Sequence, residues 1–79
     1  MNITVNVQLK QGVLDPQGKA VHHALGSLGF NNVNDVRIGK QIVLQMDEKE
    51  PEIARESAKK MCEELLANTV IEDYEIVVS

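Results

Sequence analysis

Tryptophan is absent, aromatic rings number two, Phe30 and Tyr74, and cysteine occurs once, as Cys62. A lone cysteine excludes an intrachain disulfide, and no Cys/His cluster has the spacing of a zinc site. A chain of 79 residues buries only roughly 60% of its unfolded surface. Without a disulfide or a metal, self-association is the leading candidate for a stability margin. Positive charge is also scarce, with eight Lys and Arg against twelve Asp and Glu and a net charge of −4. Without a basic footprint or a set of stacking rings, nucleic-acid binding is excluded as a function class. No apolar run approaches the ~20 residues that span a bilayer. Met1-Asn2-Ile3-Thr4 lacks the basic-then-apolar order of a signal peptide. The expected setting is a reducing cytoplasm, away from membranes.

What is present is a regular alternation of patterns. Residues 2–10 read as a strand, with Ile3, Val5, Val7 and Leu9 on one face. Asp15 has the chemistry of an N-cap and Pro16 that of a first helical residue, so a helix is expected over 16–29, closed by Gly29 in the left-handed region. Val36 and Ile38 suggest a second strand, and Ile42, Leu44 and Met46 a third. A two-residue Gly39-Lys40 hairpin between them would send the two apolar sets to opposite faces, so an odd-length connection or a bulge at Gly39 is needed. A second helix is expected over 51–67, with Ile53, Ala54, Ala58, Met61, Cys62, Leu65 and Leu66 at helical spacing. A last strand is expected over 72–78. The order is that of an α+β, ferredoxin-like βαββαβ domain spanning residues 1–79. In that fold a four-stranded antiparallel sheet carries two helices on one face.

The face of the sheet turned away from the helices would show Asn2, Thr4, Asn6, Gln8, Gln41, Val43, Gln45 and Val77. A solvated face usually carries Lys and Glu, so this polar, nearly uncharged set suggests packing against another protein surface, most simply a second copy. The charge is lopsided as well. Residues 1–40 hold four cations and two anions, and residues 41–79 hold four cations and ten anions.

Residues with reactive side chains do not assemble into a constellation. Adjacent histidines, His22 and His23, do not share a helix face. Cys62 sits in an apolar stripe, where a thiol is inert. Glu48, Glu50, Glu52, Glu63 and Glu64 lie on an exposed helix face or its flank, without the cleft that splits a carboxylate pair. The turn after the first strand, Lys10-Gln11-Gly12, has no arginine of its own to hold a phosphate, as an acylphosphatase-like loop would require. Catalytic, cofactor and metal residues are therefore not expected. Gly12, Val13 and Leu14 are more apolar than a corner requires, and Arg37, Gly39 and Lys40 place two cations around a glycine at a turn. These six are the candidate partner contacts.

With these residues laid out, "LKQGVLDPQGKAVHHALGSLGF", "VNDVRIGKQIVLQM" and "MCEELLANTVIEDYEIVV" together resemble the PurS family, the small subunits of phosphoribosylformylglycinamidine synthase. Thr69 departs from the proline often found in that family, which affects the stiffness of the loop before the last strand. The resemblance implies a non-catalytic subunit of a ligase complex in de novo purine biosynthesis. It would form a dimer or tetramer, bridge a glutaminase and a synthetase subunit, and support ammonia transfer. It also implies that ATP, glutamine and magnesium are used in other subunits, with no cofactor in this chain. A rival reading is an ACT-like regulatory module, which shares the topology and binds small molecules near its first helix. Here Asp15-Pro16 follows the glycine and apolar pair at once.

Overall fold

The computed structural model describes all residues, Met1–Ser79. Three strands and two helices follow one another as β1 (Asn2–Leu9), α1 (Pro16–Ser27), β2 (Gly39–Gln45), α2 (Pro51–Met61) and β3 (Glu72–Val78). All pairing is antiparallel, and β1 is the central strand of the order β2-β1-β3. Register follows the alternation. Ile3 and Val5 stand opposite Leu44 and Ile42 on one side and opposite Val78 and Ile76 on the other. One face of the sheet is therefore aliphatic. Ala54, Ala58 and Cys62 of the second helical segment close over it, burying Ile3, Val5 and Val7. Small side chains on the helix let it sit close to the central strand.

The expectation of an α+β chain with an antiparallel sheet and two helices holds, but the four-stranded sheet does not form within one chain. The segment expected as the second strand, around Val36 and Ile38, runs without ladder partners. Its backbone donors are taken by side chains instead. The Val36 N–H bonds the Asp35 carboxylate (2.9 Å) and the Ile38 N–H bonds the Asp15 carboxylate (2.7 Å). Gly39 and Lys40 are likewise not a hairpin tip. They open β2, paired with Gln8 and Val7 of β1, which removes the register conflict of a Gly-Lys hairpin.

The helix expected over 51–67 is present with a change of pitch. After Met61 the last turn, Cys62–Leu66, widens to π-type spacing, and the Ala67 N–H reaches back five residues to the Cys62 carbonyl (3.0 Å). The widened turn rotates Leu65 out of the expected apolar stripe, leaving it 82% exposed. Ile53 and Met61, also assigned to that stripe, lie on its exposed flank.

The larger departure is α1. It does not lie on the sheet. It pairs with the returning segment 33–36 as an arm that stands off the sheet, and the molecule measures 48 × 24 × 14 Å. Gly18 meets the Val36 carbonyl so closely that a Cβ there would collide with it, and the His22 ring contacts the Val33 carbonyl at 2.7 Å. The arm ends as its sequence suggests. Gly29 has φ +97°, and the Phe30 N–H bonds the Leu25 carbonyl (2.9 Å), a Schellman closure.

Candidate functional site: the turn between the sheet and the arm

Lys10 to Val13 forms a turn closed by a hydrogen bond from the Val13 N–H to the Lys10 carbonyl (3.1 Å), with Gly12 at φ +87°. A positive φ at the third position defines a type II turn, where glycine carries no steric penalty. The turn then runs into Asp15, which is buried and has two tasks. One carboxylate oxygen accepts from the Gly18 N–H (2.9 Å) and caps α1, while the other accepts from the Ile38 N–H. These two backbone donors, led by Ile38, hold the Asp15 carboxyl below its ordinary 3.8, and the Arg37 guanidinium adds to the effect.

Arg37 completes the corner. Its guanidinium donates to the Val13 carbonyl (2.9 Å) and to the Lys10 carbonyl (3.2 Å). Two of the six candidate contact residues, Val13 and Arg37, are thus bonded to each other across 24 positions of sequence. Gly12 shapes the same turn. Leu14 projects into solvent at 64% exposure. Gly39 and Lys40 lie apart from these four, on β2, and share a shallow depression with Asp15, Gln17, Ile38 and Glu72. Gly39 is tight there, since a Cβ would approach the Val7 carbonyl to 2.7 Å.

Two neighbouring features lie beyond the six candidate residues. A hydrogen bond from the Lys10 N–H to the Ile71 carbonyl (2.9 Å) brings the 68–71 loop to the same end of the sheet, with Val70 81% exposed. The Asn68 N–H and the Glu72 carboxylate (2.7 Å) tie that loop closed. No composition signal marks Val70 as outward-facing. The second feature is on the outer sheet face, where Asn6 joins its neighbours by accepting from Gln41 (3.1 Å) and donating to Glu75 (3.2 Å). The expected uncharged face therefore carries an ordered row of amides and one carboxylate, with Val43 and Val77 exposed beside it.

The chain is a small α+β domain that turns apolar side chains outward at the corner turn, along the arm and on the outer sheet face. Its residues 2–79 match the family model described as PurS: Phosphoribosylformylglycinamidine (FGAM) synthase, and the chain belongs to this family. It is 54% identical over 72 residues to the phosphoribosylformylglycinamidine synthase subunit PurS of Bacillus subtilis, a match covering 91% of this chain and 84% of that one. The crystal structure of Methanocaldococcus jannaschii PurS, one of the subunits of formylglycinamide ribonucleotide amidotransferase in the purine biosynthetic pathway, superimposes with a TM-score of 0.90 at 47% identity. That match covers 99% of this chain and 94% of the other. A chain in the structure of PurLQS from Thermotoga maritima superimposes with a TM-score of 0.88 at 37% identity, over 96% of this chain and 93% of that one. The ACT-like alternative finds no support in these relatives.

Proposed function

We propose that this chain acts in purine biosynthesis as the bridging subunit of an FGAM synthase assembly. It would hold a glutaminase and a synthetase subunit in register so that ammonia made at one is used at the other. The observation that carries this reading is the close likeness to a chain in the PurLQS structure. A bridge raises the effective concentration of one subunit at the other without adding a reactive group. The corner turn supplies the contact, with Leu14 as its apolar point, Gly12 and Val13 as its frame, and Arg37, Gly39 and Lys40 along its side. The reading includes a cytoplasmic location; no helix is long and apolar enough to cross a membrane. It also includes self-association, in which the two-helix layer of a ferredoxin-like sandwich is completed between copies.

The test is product formation by the reconstituted assembly with either glutamine or high ammonium as nitrogen source. Omitting this chain should abolish the glutamine-dependent reaction and spare most of the ammonium-dependent one. Leu14→Ser should weaken the glutamine reaction several-fold while the chain still folds. Equal loss with both nitrogen sources would overturn the bridging role.

A further inference from the structure

Four hydrogen bonds hold residues 68–72 in one shape. The N–H groups of Ile71 and Glu72 both reach the Asn68 carbonyl (3.0 and 2.8 Å). The Asn68 side chain accepts from the Val70 N–H (3.2 Å), and the Glu72 carboxylate accepts from the Asn68 N–H (2.7 Å). The bond from the Lys10 N–H to the Ile71 carbonyl then fixes this loop to the root of the corner turn. Inside so tight a clamp, Val70 still points into solvent.

A second aliphatic side chain is turned out just before the loop. The π-type turn Cys62–Leu66 separates two neighbouring leucines: Leu66 packs against the core, and Leu65 is exposed. Turns of this pitch recur at functional sites. The Ala67 N–H bond to the Cys62 carbonyl holds the backbone there. Leu14 is the third such side chain, next to Asp15, whose carboxylate is fixed by the Gly18 and Ile38 N–H groups. Leu14, Leu65 and Val70 thus stand on three separately braced turns. None of them gains from folding, and their backbones have little freedom left to lose on binding, which favours association.

Charge indicates what this surface fits. From Met61 to Ser79 the chain has five acids, Glu63, Glu64, Glu72, Asp73 and Glu75, and no Lys, Arg or His. Glu63 and Glu72 bond to neutral donors, the Tyr74 hydroxyl and the Asn68 N–H, so their charge is not cancelled. A two-fold contact of this flank with itself would set like charges face to face. A complementary surface is an apolar cup edged by Lys and Arg.

We infer that Leu65 and Val70 extend the corner contact and seat, with the acids around them, in a basic-edged apolar cup on the same large subunit that receives Leu14. This rests on the bridging role proposed above and enlarges its contact. The experiment titrates the chain into a mixture of the glutaminase and synthetase subunits and reads glutamine-dependent product formation. For Leu65→Ser/Val70→Ser the concentration giving half the maximal rate should rise about tenfold, with the plateau rate unchanged. For Glu64→Lys/Asp73→Lys it should rise at low salt and approach the wild-type value at high salt. All four positions are exposed, and circular dichroism should match the wild type. In a second measurement, benzoylphenylalanine at position 70 or at position 14 is photolysed in the assembly, and both should cross-link to one and the same large subunit. If the wild type does not stimulate the glutamine reaction, the bridging role and the inference both fall. If it does, the inference alone is overturned by unchanged half-maximal concentrations in either double variant. It is equally overturned if position 70 yields no cross-link, labels a second copy of this chain, or labels the large subunit that position 14 does not.

Discussion

The hydroxyl of Tyr74 donates to the Glu63 carboxylate at 2.7 Å, and this bond, aided by desolvation, pushes the phenol up to about 12 from its ordinary 10.0. Tyr74 is the only tyrosine and there is no tryptophan, so phenolate absorbance reports this one contact. Titration should show a midpoint near 12 in the folded chain, and Glu63→Gln should bring it back toward 10. The folded value is the higher one, so the stabilisation is complete below about pH 10 and is lost as the pH rises through the folded value. Asp15 has the opposite sign. Its folded value is lowered, so its contribution is complete above the unfolded value of 3.8 and is lost as the pH falls through the folded one. Thermal melts of the wild type and Asp15→Asn should therefore converge as the medium is acidified below pH 4 and stand several degrees apart near pH 7. A constant gap across that range would show that the carboxylate's charge is not what the two N–H groups select.

Among the elements, α1 is the one whose sequence and position disagree. Alanine raises helix propensity over glycine by about 1 kcal/mol, so Gly18→Ala would stabilise a free helix. Here the new methyl would collide with the Val36 carbonyl, and overpacking of this kind costs about 1–3 kcal/mol. The expected outcome is a lower melting temperature despite unchanged or higher helicity in an isolated 15–29 peptide. A rise in the full chain would show that α1 and the 33–36 segment separate easily.

The same element marks how far the sequence could be read. The period-two alternation of β1, the Asp15–Pro16 start and the Gly29 stop are local signals, and each survives in the structure. The Val36/Ile38 alternation is local too, yet its amide donors were claimed by Asp15 and Asp35, an outcome decided by residues outside the pattern. The apolar spacing of α1 showed that it has a face to bury, but not that the sheet of its own chain would leave Val21 and Leu28 exposed. Within the corner turn, Gly12 to Leu14 stood out by composition, whereas the Arg37 bond to the Val13 carbonyl depends on a fold-back over 24 positions, which spacing alone does not reveal.

For the molecule as a whole, the outline is too open for its length. The Cα radius of gyration is 15.9 Å, against about 12 Å for a compact chain of this size. If assembly supplies the missing packing, folding and association are linked, and stability depends on protein concentration. The melting temperature of the wild type should climb with each tenfold increase in concentration. Calorimetry over a hundredfold range decides this; a concentration-independent wild-type melt would count against linked folding.

The central place of β1 carries a consequence for the birth of the protein. Translation proceeds from β1 toward β3, so the middle strand emerges before either of its neighbours, and the pairing of Asn6 with Glu75 waits until nearly the whole chain has been made. At roughly 5–20 residues per second the aliphatic row Ile3, Val5, Val7 stays unpaired for several seconds on each ribosome. Neighbouring ribosomes on one message hold identical rows at the same moment. Until β2 and β3 are made, both edges of β1 present unpaired N–H and C=O groups, the template on which a strand of another copy can pair.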